Sequence, residues 1–259
     1  MPCAKENFRS MTLGKVGRKI ILTLLIMGGG VTSALFAEDL FNDSEPFDTI
    51  KQQSLFLINE VDSIGKDENE RYLHLTENDF QIVAEELNVE VASIKAVVEI
   101  EAGKSMKGFW APGIPVINFD RTMYLKYRGK AVSKEGAKGE KVPEGLSGYA
   151  KKEWTELINA RKINAQGANL GTFWGMFQIG GFNYKLCGCE TVDEFVKRMA
   201  YSELEQLQLF AMFILNTGMV ESLRNKDWRT FARKYNGPSY AKRGYHTKMA
   251  TAYKKYSTI

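Results

Sequence analysis

The chain of 259 residues carries a formal charge of +4 and is 44% hydrophobic. Two histidines, His74 and His246, and three cysteines are too sparse a set for a metal centre, and neither metal nor cofactor is expected. The surplus charge belongs to residues 1–37, with 5 basic and 1 acidic side chains; the balanced remainder divides into 17 acidic against 4 basic over 38–101 and 13 acidic against 26 basic over 102–259.

In chain order, the first element reads as an export leader over residues 1–37. Lys5, Arg9, Lys15, Arg18 and Lys19 form a basic start, an apolar run follows from Ile20 to Ala37, and small residues close it. Cleavage is expected after Ala37, with Ala34 as the other choice. The alternative is an uncleaved anchor facing the cell wall, although the run is barely long enough to span a bilayer and three consecutive glycines weaken it as a helix. An exported protein is periplasmic or extracellular. The basic part of the chain suits an anionic polymer, and export argues for cell wall over nucleic acid. Cys3 precedes the apolar run, so no lipobox is present, and a membrane partner is expected only through an uncleaved leader.

Residues 38–74 form an acidic segment with one helix expected near Thr49–Ser63 and an exposed loop at Gly65–Glu70. The −13/+13 split suggests that this segment docks on the basic domain after it. A helical domain is expected over residues 75–259. Thr76 and Asp79 have the spacing of a capping box for a helix running to Leu87, and Asn88 interrupts before the next helix. Gly103–Val116, with three glycines and two prolines, reads as loop. Ile117–Tyr127 reads as a helix carrying Asp120, and Gly129–Gly148, rich in glycine and lysine, as a mobile loop. Tyr149–Ala165, Val192–Gly218, Ser222–Lys234 and Ala241–Tyr256 follow as helices. Strand signals are sparse and there is no internal repeat, so the fold class is mainly α with long loops and little sheet. Cys187 and Cys189 are read as two packed thiols, the alternative being a strained disulfide.

One position breaks the pattern. Ile94, Val97, Val98 and Glu101 fall at helical offsets of 0, 3, 4 and 7 and share one face. Three are apolar and the last is a carboxylic acid, placed where Ala102 and Gly103 end the helix. A carboxyl in apolar surroundings resists ionisation, and one still protonated near neutral pH can give its proton to a leaving group. Glu99 lies about 200° round the helix, with Lys95 four residues before it on a solvated face. The alternative for Glu101 is a helix-end carboxylate that reaches solvent.

Three stretches, in order, carry a resemblance. They are Val98-Glu99-Ile100-Glu101-Ala102-Gly103 with Phe119-Asp120-Arg121 beyond; Phe173-Trp174-Gly175-Met176-Phe177-Gln178-Ile179; and Phe231-Ala232-Arg233-Lys234-Tyr235-Asn236-Gly237-Pro238 with Tyr240 beyond. Together they resemble the N-acetylmuramidase domain of phage endolysins and bacterial cell-wall hydrolases, a lysozyme-like family akin to goose-type lysozymes and soluble lytic transglycosylases. The likeness spans Leu75 to Tyr256.

The resemblance implies a lysozyme-like fold and cleavage of the β-1,4 bond between N-acetylmuramic acid and N-acetylglucosamine, with peptidoglycan glycan strands as partner. It places the catalytic glutamate at Glu101, the residue selected by the helical stripe, with Ala102 where the family often has serine. Asp120 becomes the candidate second carboxylate, one methylene shorter than the family's glutamate. Gln178, Trp174, Tyr235, Asn236 and Tyr240 become candidates for binding sugar: an amide for hydroxyl and N-acetyl groups, flat rings for pyranose faces, and a turn that exposes backbone. Each has a plainer alternative. Trp174 and Phe177 suit a core, Gln178 a loop-to-helix tie, Tyr235 packing, and Asp120 an ion pair. A transglycosylase using the same acid, or a wall-binding module without catalysis, are the rival functions.

Overall fold

The computed structural model describes residues 21–27 and 30–36, Tyr72, and the continuous stretch 74–258. The basic start of the leader, the expected helix over 49–63 and the Gly65–Glu70 loop lie outside these residues. Ile21–Met27 (β1) and Gly30–Phe36 (β2) pair antiparallel from Ile21 with Phe36 to Met27 with Gly30. No helix among the described residues is long and apolar enough to cross a membrane.

From Thr76 onward the fold is mainly helical. α1 (Glu77–Leu87) starts in the capping box anticipated from sequence: the Asp79 N–H donates to the Thr76 hydroxyl at 3.3 Å, and the Thr76 N–H donates back to the Asp79 carboxylate at 2.7 Å. Asn88 ends it in the left-handed region at φ 50°, where asparagine is among the better tolerated residues. α2 (Val91–Ala102) then buries Ile94, Val97 and Val98 completely.

Between α2 and the next helix the sequence reading needs correction. The segment expected to be loop holds a small hairpin, β3 (Phe109–Ala111) with β4 (Ile114–Pro115). Ile117–Phe119 is a strand, β5, and only from Arg121 does helix α3 (Arg121–Arg128) begin. Strands of two or three residues are too short for an alternation of apolar and polar positions to show. The Gly129–Gly148 segment is also tied down more closely than its composition suggests. Its Ala137 N–H donates to the Arg161 carbonyl at 2.8 Å, Glu135 accepts from the Ala165 N–H at 2.9 Å, and Glu140 pairs with the buried Arg161 guanidinium.

α4 (Gly148–Ile163) and α5 (Ala165–Leu170) lead to β6 (Thr172–Trp174) and β7 (Ile179–Gly180), which complete an antiparallel sheet in the order β5-β6-β7. A 3-10 turn over Gly181–Cys187 follows. Each of the last three long helices read from the sequence is divided in two: α6 (Val192–Met199) and α7 (Glu203–Asn216), α8 (Val220–Arg224) and α9 (Trp228–Asn236), α10 (Tyr240–Arg243) and α11 (Tyr245–Ser257). The breaks have local causes. Ser202 caps α7 and Asp227 caps α9 with side-chain oxygens, and Gly244 turns left-handed at φ 68°.

α7 is the axis of the core. Every residue from Gln206 to Ile214 is buried, as expected of a helix wrapped on all sides. Phe210 stacks on Phe177 at 4.2 Å between ring centroids, and Tyr235 meets Phe210 and Phe213 edge-on while stacking on Phe231. Cys187 and Cys189 are unpaired and buried. Burial pushes both thiols up, Cys189 to about 11, in keeping with the reading of two packed thiols.

Candidate active site

Glu101 is the penultimate residue of α2, and the residue is only half-buried while its stripe-mates are sealed. The Asn236 side chain, from the last residue of α9, donates its amide N–H to Glu101 Oε1 at 2.8 Å. Burial pushes the Glu101 carboxyl up to about 7, against the opposing pull of that hydrogen bond. Glu99, on the other side of the helix, is held below the usual carboxylate range by hydrogen bonds from Lys255 and Tyr256, both at 2.6 Å. Its partner is therefore Lys255; Lys95 pairs instead with Glu77. Two glutamates two residues apart have opposite electrostatic fates because one helix face is core and the other carries cations.

Tyr235 links this pair to the loop after β6. Its hydroxyl donates to the Phe177 carbonyl at 2.6 Å. Burial first, and then the negative charges of Glu101 and Cys187, push the phenol well above its ordinary value, so it stays a neutral donor. Phe177 sits in a tight turn with two left-handed residues, Gly175 at φ 70° and Gln178 at φ 48°. At position 175 a Cβ would meet the Gln206 carboxamide oxygen at 2.7 Å, so only glycine fits. Gln178 donates its side-chain amide to the Gly175 carbonyl at 2.8 Å, bracing its own turn where the alternative to sugar binding is a tie from loop to helix. Tyr240 opens α10, its N–H donating to the Gly237 carbonyl at 3.1 Å and its ring edge against His246 at 5.3 Å.

Two expected site residues have structural partners of their own. Trp174 has 0% exposure, donates its indole N–H to the Asn169 carbonyl at 3.1 Å and packs edge-on against Trp154. It has no face left for a sugar ring, because the alternation of β6 turns its side chain into the core. Asp120 caps α3, its Oδ1 accepting from the Met123 N–H at 2.9 Å. It also lies at the far end of the β5–β6 pair. Gly175 closes one end through its N–H to the Val116 carbonyl, and Asp120 closes the other through its N–H to Gly171, roughly 13 Å along the strands.

Sequence reasoning missed the brace behind the site. Gln206, fully buried on α7, accepts from the Met176 N–H at 2.8 Å and donates to the carbonyls of Gly108 at 3.2 Å and Met199 at 2.8 Å. Glu203, 2% exposed, accepts from the N–H groups of Gly108 at 2.7 Å and Leu75 at 3.0 Å. Together they fasten the loop after α2 and the turn carrying Phe177 to one helix. A polar run ahead of an apolar helix reads as a solvent-facing first turn, so the sequence offered no signal for either role. Glu153, 4% exposed on α4, likewise holds the Phe119 N–H at 2.8 Å.

Comparison with known proteins bears on this arrangement. A family model described as N-acetylmuramidase matches residues 90–257. Among solved structures, the endolysin of Burkholderia AP3 phage matches at 35% identity and a TM-score of 0.60, covering 77% of this chain and 75% of its own. No curated protein matches the chain.

Proposed function

The chain belongs to the N-acetylmuramidase family and is a glycoside hydrolase of lysozyme type acting on peptidoglycan; from that premise we propose that Glu101 is its general acid and that the bond cut is the β-1,4 link from N-acetylmuramic acid to N-acetylglucosamine. The observation that carries the assignment is the Glu101–Asn236 pair. Its carboxyl is pushed up to about 7 at the open end of an otherwise sealed helix face. Such a group is still substantially protonated at neutral pH and can donate to the glycosidic oxygen as the bond breaks.

The hydrogen bond from Asn236 fixes one carboxyl oxygen and leaves the other to face the leaving group. Once the proton is given up, the same N–H steadies the carboxylate, which can then take a proton from an attacking water. Tyr235, locked to the Phe177 carbonyl, sets the distance between the α9 end and the β6–β7 turn, and so the width of the site. Asp120 serves the α3 N-terminus in this reading. Gln178 and Tyr240, on the two segments flanking the acid, are the proposed sugar contacts. The basic and then apolar start of the chain is proposed to export it to the wall.

Mass spectrometry of muropeptides released from purified sacculi tests the assignment. Wild type is expected to leave reducing N-acetylmuramic ends, and Glu101→Gln to lower turnover by roughly 10²- to 10⁴-fold. Anhydromuramic ends would replace hydrolysis with transglycosylation, and equal turnover by the variant would remove Glu101 from the chemistry.

A further inference from the structure

Residues 228–259 hold eight lysines and arginines and not one aspartate or glutamate. This acid-free stretch forms α9, α10 and α11, the lobe that presents Asn236 to Glu101. Lys255 reaches across to Glu99, and Lys234 donates to the Gly218 carbonyl at 3.1 Å. Arg233, Lys242, Arg243 and Lys248 are exposed, and among the described residues none has a carboxylate partner.

Their placement follows the site. Arg233 is three residues before Asn236 on α9 and therefore a neighbour on the same helix surface. Lys242 and Arg243 belong to α10, which begins at Tyr240 and is hydrogen-bonded back to Gly237, the residue after Asn236. Lys248 lies over the Tyr245 ring at 5.8 Å, beside the Tyr240–His246 contact. Cations in the last turn of α9 complement the negative end of that helix, which accounts for one or two of them. It does not account for Lys242, Arg243 and Lys248, which have no carboxylate partner among the described residues, since self-repulsion weakens a compact state. Such a surface gains by meeting an anionic ligand, and the ligand it would meet first is the one entering the site.

We propose that this cationic lobe binds the free carboxylates of the peptide stems attached to the muramic sugars, seating a stem beside the bond being cut. The proposal rests on the muramidase reading of the site and adds a preference for peptide-bearing over bare glycan. Bare strands fill the sugar contacts alone, while stem-bearing strands also fill the lobe. Steering of this kind weakens as salt shortens the range of exposed charges.

The test compares kcat/KM on intact sacculi with that on strands stripped of stems by an amidase and then amidated at the lactyl carboxylates this exposes, for the full chain and for Arg233→Gln/Lys242→Gln/Arg243→Gln/Lys248→Gln. An exposed pair is worth about a factor of two, so the preference for intact over stripped strands is expected to fall roughly tenfold in the quadruple variant. The same loss is expected in wild type when salt rises from about 0.05 M to about 0.5 M. Unchanged melting of the variant shows that the fold is kept. An unaltered preference, or an equal loss on both substrates, would overturn the stem-binding role while leaving the muramidase reading intact. If wild type cut neither substrate, both readings would fail together. A variant that gains activity on both would instead mean that the lobe holds the chain's own acidic segment, and would also overturn the proposal.

Discussion

Replacing Glu101 by glutamine should make the protein more stable, and only at the pH where the acid is ionised. In the unfolded chain this carboxyl titrates at its ordinary 4.5, whereas in the folded protein burial pushes it up to about 7. The folded state therefore binds the proton more tightly. The resulting stability is complete below pH 4.5 and is lost as pH rises through about 7. The whole difference corresponds to about 3 kcal/mol. Water drawn to the half-buried residue screens part of it, so a value near 2 kcal/mol is the realistic expectation. Glutamine has no proton to lose. Asn236, whose Oδ1 is buried without a partner among the described residues, can turn its amide and accept from the new side chain. Urea unfolding followed by tryptophan fluorescence, at pH 8 and at pH 4, measures the effect. Glu101→Gln is expected to gain about 2 kcal/mol at pH 8 and to stay within about 0.5 kcal/mol of wild type at pH 4. A gain equal at both pH values, or none at pH 8, would mean that the Glu101 carboxyl is not held neutral by the fold.

Asn236→Leu removes the hydrogen bond that lowers the Glu101 carboxyl and keeps the site dry, so the alkaline limb of the pH–rate profile should move upward by about one unit; a downward move would contradict the balance of burial and hydrogen bonding described above. Asp120→Asn keeps a capping oxygen and should retain most activity, whereas Asp120→Ala should lose about 1 kcal/mol of stability. A normally folded Asp120→Asn that loses activity a hundredfold would restore Asp120 as a second carboxylate. Cys187 and Cys189 should resist a disulfide reagent at pH 8 in the native protein and react only on unfolding; rapid labelling of the native thiols would contradict their burial.

The acid and its partners were legible from the sequence for a physical reason. A carboxyl that completes an apolar stripe leaves a periodic signature, and Tyr235-Asn236-Gly237 and Phe177-Gln178 are contiguous strings. Residues that act through long-range contact leave no such trace. Glu203 and Gln206 look like the first turn of an amphipathic helix until α7 is seen to be enclosed on every side. Trp174 follows the core alternative rather than the sugar platform: an aromatic beside a glycine turn can equally face a groove or a core, and the side is set by the register of a three-residue strand against Ile117. Asp120 caps α3, a role the sequence does not separate from catalysis because a carboxylate before a helix serves as a cap and as a catalyst with the same local sequence. The divided helices show the same limit at larger scale. Ser202, Asp227 and Gly244 are the stops, and each lies inside a hydrophobic periodicity that continues past it.

Burial raises the Glu101 carboxyl, and two helix ends lie beside it. Glu101 lies in the last turn of α2 and Asn236 is the last residue of α9, so both helices end at the acid. Helix C-termini carry partial negative charge on unpaired carbonyls, and two of them converging on a carboxyl disfavour its ionisation from two directions. Gly103 at φ 78° and Gly237 at φ 76° turn the chain immediately after each. The one group that favours the charged form is the Asn236 amide, which comes from the same α9 terminus. The site is thus balanced so that the proton is kept in the resting protein and the anion is tolerated once the proton has gone, as the proposed role of Glu101 at both halves of the bond cleavage requires.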